Sequence, residues 1–75
     1  MHLKHDQFNN EIQILDVQIL NPGIRLIKIK CDNLEIGDTL TSFNMLGLYE
    51  CTEIHGIKES EKNTYTATFK IIGNE

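Results

Sequence analysis

From Thr64 to Ile71 the side chains alternate without a break. Tyr65, Ala67, Phe69 and Ile71 are apolar, and Thr64, Thr66, Thr68 and Lys70 are polar. A period of two belongs to an extended strand with one face on a core and the other on water. A helix through the same residues would divide the apolar four between opposite sides, so this stretch commits the chain to a sheet.

Other segments follow the same rule. In Ile24–Cys31, Ile27, Ile29 and Cys31 share one face and Lys28 and Lys30 the other, as in a half-buried antiparallel strand. Those two lysines read as a solvated face rather than a phosphate-binding stripe, because acids outnumber bases in the chain. Glu11–Leu20 starts with Ile12 and Ile14 in one phase and continues with Leu15, Val17 and Ile19 in the other. A slip of one residue would turn every later side chain to the opposite face, which predicts a bulge or bend near Leu15.

Turn residues separate these runs. In Asn21-Pro22-Gly23, Pro22 fixes its own φ and Gly23 takes the left-handed region after it. Asp32 and Asn33 turn the chain again, and Leu34 and Ile36 are expected to point inward. In the next turn Gly37 supplies φ > 0 and the Asp38 carboxylate accepts nearby backbone N–H groups, a structural role for both. Thr39–Ser42 and Leu48–Ile57 read as strands joined through Asn44 and Gly47, with Gly56 interrupting or ending the second. Residues 58–63, KESEKN, read as a charged, flexible connection. The prediction is all-β: a small closed or partly open antiparallel barrel of five to six strands. Seventy-five residues hold one domain. Residues 1–7 are expected as a flexible N-terminal segment and 8–75 as the barrel.

Composition narrows the function classes. Eleven acids against seven bases give a net charge of −4, which argues against nucleic acid and anionic membranes as partners. The aromatic residues Phe8, Phe43, Tyr49, Tyr65 and Phe69 are scattered and mostly phased inward, not interleaved with bases. Apolar runs never exceed two residues, which suits neither a membrane-spanning helix nor a signal peptide. The expected setting is cytoplasmic. Cys31 and Cys51 are then reduced thiols, Cys31 on the core face, with a disulfide as the alternative if their strands are neighbours. His2, His5 and Asp6 sit in the terminal segment, where nothing pre-organises them for a metal. No nucleophile with a base, paired acids or metal set stands out, so neither enzyme activity nor a cofactor is expected.

The stretch Asp16-Val17-Gln18-Ile19 entering Asn21-Pro22-Gly23 is followed by Leu34-Glu35-Ile36-Gly37-Asp38-Thr39-Leu40. Later comes Cys51-Thr52-Glu53-Ile54-His55-Gly56-Ile57. In this order the chain resembles, from Phe8 to Gly73, the small barrel that forms the second domain of translational GTPases such as elongation factor Tu. The resemblance implies that barrel's fold and a link to translation or a ribonucleoprotein. It departs in having fewer glycines around the first turn and no phosphate-binding GxxxxGK[ST] loop. Fold alone does not carry function across.

The expected role is therefore a non-catalytic binding module with a protein partner, acting as a monomer or weak homodimer. A small acidic inhibitor or immunity-type protein and a weak nucleic-acid binder are the alternatives. Phe43, Met45, Leu46 and Leu48 are the candidate partner-binding residues, because four apolar side chains fall within six residues of an expected hairpin tip. Two readings stay open for them. They fill the open end of the barrel, or they form an exposed docking patch.

Overall fold

The computed structural model describes residues 1–8, 11–57 and 62–73. Within them the chain forms six strands and no helix: β1 (His2–His5), β2 (Gln13–Asn21), β3 (Ile24–Lys30), β4 (Thr39–Ser42), β5 (Met45–Ile57) and β6 (Thr64–Gly73). They make one sheet in the order β1-β4-β5-β6-β3-β2, curled into a half-barrel with β1 and β2 as its edges. The fold is a small open β-barrel. No helix among the described residues is long and apolar enough to cross a membrane.

The alternation in β6 sets the core. Tyr65, Ala67 and Phe69 are buried on the concave face. Ile29 and Ile27 of β3 stand opposite Tyr65 and Ala67 and are fully buried. On the other side β5 meets the same residues at a spacing of three. Cys51 pairs with Phe69 and Ile54 with Ala67, and register shifts fall at Cys51/Glu53 and Ile54/Gly56. Each shift inserts a residue into β5, so side chains three apart still face one side. Bulges also bend a strand and increase its twist, which suits a sheet that must curl. Leu40 of β4, Leu3 of β1, and Ile12 and Leu34 from the connecting segments complete the core. Burying side chains of this size stabilises by about 1.5–3 kcal/mol each.

The expected bulge near Leu15 is present. Ile14 pairs with Ile29, the register then shifts, and Asp16 pairs with Lys28 and Val17 with Ile27. Cross-strand partners share a face, so Ile14, Val17 and Ile19 all lie on the concave side despite the phase slip in sequence.

Several expectations need correction. Residues 1–7 are not simply a flexible lead-in, since His2–His5 form β1 against β4 and Leu3 is only 5% exposed. One apolar residue in a four-residue strand leaves no periodicity to read. The sheet is not wholly antiparallel, because β1 and β4 run parallel. The long excursion through β2 and β3 lets the chain return in that sense. Ile36 points outward and is 67% exposed, while Leu34 is buried. Gly56 does not break β5, which continues to Ile57, and the β4–β5 turn is Phe43-Asn44, so β5 begins at Met45. Of the aromatics, Tyr49, Tyr65 and Phe69 are buried, whereas Phe8 and Phe43 are exposed. Most of the 58–63 connection lies outside the described residues.

Candidate functional site

At the end of the half-barrel that carries the Pro22-Gly23 and Phe43-Asn44 turns, the concave face is left uncovered. A groove of about 520 Å³ opens there, lined by Val17 and Ile19 of β2, Arg25 of β3, Asn44, and Met45, Leu46 and Tyr49 of β5. Exposure rises toward the rim: Val17 is 38% exposed, Ile19 71% and Leu46 93%. Tyr49 is buried at the floor, and its hydroxyl donates to the Leu46 carbonyl at 3.3 Å.

Local chemistry explains each wall. On β2 the bulge after Ile14 carries Val17 and Ile19 to the concave side, opposite Ile27 and Arg25. Within β5, beside the register shift between Leu48 and Tyr49, Gly47 has φ of +123°, and a Cβ there would lie 2.9 Å from Ile71 Cδ1 and 3.1 Å from the Gly73 carbonyl oxygen. Only glycine combines that φ with so close an approach. Met45 packs on the core edge while Leu46 projects into solvent. Arg25 is half-buried opposite Phe69. Its Nη1 donates to the carbonyls of Asn21 at 3.3 Å and Ile24 at 3.2 Å. Among the described residues no carboxylate forms an ion pair with it.

The four candidate docking residues do not form one patch. Met45 and Leu46 belong to the groove. Phe43 turns toward β1 and packs on His5, with ring centroids 5.4 Å apart and planes inclined at 35°. Leu48 is half-buried opposite Gly73. Sequence reasoning missed Val17, Ile19, Arg25 and Tyr49. The signal for the first two was available, since the phase slip at Leu15 had already placed them on the core face.

The turn residues sit apart from the groove floor. Gly23 has φ of +82° and its carbonyl accepts the Ile71 N–H at 2.7 Å, tying the β2–β3 hairpin to β6. Pro followed by a positive-φ glycine is the type II signature, and the neighbouring register shift between Ile19 and Asn21 accommodates a turn whose twist fits a hairpin poorly. At the opposite end Gly37 has φ of +96°, and Asp38, 4% exposed, accepts the Glu35 N–H at 2.9 Å through Oδ2. The Gly37 N–H donates to the Cys51 carbonyl and the Cys51 N–H to the Asp38 carbonyl, both at 2.8 Å, which locks this turn onto β5.

The remaining reactive side chains have structural partners. Cys31 and Cys51 are free and buried. Burial pushes both thiols above the ordinary range, opposed by hydrogen bonds to backbone at Asn33 and Glu53 respectively. His2 lies between the Thr39 and Thr41 hydroxyls at 2.8 and 3.2 Å, and His5 is 3.2 Å from the Ser42 hydroxyl. Among the described residues no group of three or more His, Cys, Asp or Glu side chains is placed to hold a metal ion.

This geometry defines a class, a small open β-barrel with an apolar mouth. No protein-family model, curated protein or solved structure matches the chain.

Proposed function

We propose that the protein is a non-catalytic interaction module that holds a protein partner at the open end of its half-barrel. One observation carries this reading: Val17, Ile19 and Leu46 continue the concave core face into solvent. Hydrocarbon arranged as the extension of a core, rather than scattered singly, marks an interface on a small domain. The groove walls are aliphatic, with one guanidinium, one amide and one phenol. They hold no nucleophile paired with a base, which supports binding over catalysis. Two buried free thiols suit a reducing, cytoplasmic setting. The resemblance to the translation-factor barrel adds a proposed setting in translation or a ribonucleoprotein, and the groove argument does not depend on it.

A photo-crosslinking side chain at Leu46 tests the proposal in the source cells. It should form one covalent protein adduct that disappears when Ile19→Asp is added. The same crosslinker at Thr52, on the opposite face beside Thr68, should not form it. An identical adduct from both positions, or none from Leu46, would refute docking at the mouth.

A further inference from the structure

The nature of the partner can be taken further, given that the mouth is where it docks. Two features meet there. Among the described residues β2 is an edge strand that pairs with β3 alone, so its outer backbone groups face no neighbouring strand there. Its two register shifts, at Ile14/Asp16 and Ile19/Asn21, flank a regular stretch from Asp16 to Ile19. The second feature is Arg25, a guanidinium held on the apolar concave side with no ion-pair partner among the described residues. Acids outnumber bases by eleven to seven in this chain, yet among the described residues none pairs with Arg25. Two main-chain carbonyls hold its Nη1, and a guanidinium so fixed against hydrocarbon has further N–H donors in a planar fork that suits an incoming carboxylate.

We propose that the mouth receives an extended apolar segment of a protein, which adds as a strand to the Asp16–Ile19 edge and presents a carboxylate to Arg25. Strand addition supplies affinity through main-chain hydrogen bonds, and alternate side chains supply specificity. Here the alternate side chains of the incoming strand lie over Val17, Ile19 and Leu46, and its acid, an Asp, a Glu or a terminal carboxylate, pairs with the guanidinium. A second copy of this chain fits poorly, because the concave side of its own β2 offers Ile14, Val17 and Ile19 and no acid. A free acyl chain also fits poorly. Ligand pockets of that kind enclose most of their guest, whereas Ile19 and Leu46 stand 71% and 93% exposed.

The test is selection from a random twelve-residue peptide library with free C-termini, followed by fluorescence titration of the synthetic winners. Winners should alternate apolar residues and carry one carboxylate at a fixed offset. Replacing that carboxylate by its amide should weaken binding about tenfold, the effect of losing a hydrogen bond to a charged group. The loss should vanish in Arg25→Gln and shrink at high salt. Backbone amides of residues 16–19 should gain protection from exchange when the peptide binds. If acid and amide peptides bind equally while Ile19→Asp still abolishes binding, the carboxylate assignment falls and docking at the mouth survives. If winners are indifferent to Ile19→Asp and Leu46→Asp, or none emerge, both fall. Dodecanoate filling the mouth without protecting residues 16–19 would overturn strand addition in favour of an acyl ligand.

Discussion

Gly37 and Gly47 share the sign of φ, but their surroundings differ, and substitution separates the two. Nothing lies within 4 Å of a Cβ built at Gly37. Gly37→Ala should therefore cost only the left-handed backbone, about 1–2 kcal/mol. Gly47→Ala should cost more, because its Cβ also meets Ile71 and the Gly73 carbonyl oxygen. Urea unfolding of the two variants checks the order, and equal midpoints would contradict it. Met45 and Leu46, adjacent in sequence, should likewise behave differently. Leu46→Ser, at a 93% exposed position, should stay within about 0.5 kcal/mol of the parent. Met45→Ser should cost clearly more, since Met45 packs on the core. The thiols give a pH dependence. Burial raises both above the ordinary range, so the unfolded chain releases these protons first as pH climbs. The stability they contribute is complete below the ordinary thiol pKa of about 8.5 and is lost as pH rises from there through the raised native values. Urea midpoints at pH 8 and pH 10 should show the fall, and thiol labelling at pH 8 should be slow until the protein unfolds.

At the scale of elements, bulges decide which side chains reach the mouth. Leu15 is the residue inserted between Ile14 and Asp16, and it is half-exposed. Deleting it would give a regular strand that keeps Ile14, Val17 and Ile19 on one face, so the variant should fold and remain within about 1 kcal/mol of the parent. A deletion that unfolds the protein would show that the bulge itself is required. Most of the sheet was legible in the sequence for a related reason. β2, β3 and β6 carry long two-residue periods or a single slip, and Pro22-Gly23 marks a turn by its composition. β1 was illegible because Leu3 alone faces the core, and its pairing with β4 is a contact between residues far apart in the chain. Ile36 was misplaced because alternation inside a turn carries no face information. The groove was half legible. Leu46 stood out as an apolar residue at a tip, but Arg25 reads in sequence as one more strand cation, and its value comes from lying opposite Phe69.

For the whole molecule, 75 residues at a typical stability per residue give about 4–11 kcal/mol. One core truncation consumes much of that. Phe69 is fully buried between Arg25 and Cys51, and Phe69→Ala should cost about 3–5 kcal/mol, a large share of that total. Among the described residues the half-barrel leaves β1 and β2 as its two sheet edges. β1 is short and carries Lys4, a common protection for an edge. β2 is nine residues long, with exposed Leu15, Val17, Ile19 and Leu20, and is blunted only by its two bulges and Asp16. The openness of that edge is the premise of the docking proposal, and native-state amide exchange followed residue by residue measures it without any ligand. β6 from Tyr65 to Lys70, paired on both sides, should be protected throughout. Along β2, amides directed at β3 should exchange slowly and the intervening ones quickly, with the alternation clearest from Asp16 to Ile19. Uniform slow exchange along β2 in the isolated monomer would mean that the edge is already covered and the barrel closed, and would contradict an open mouth.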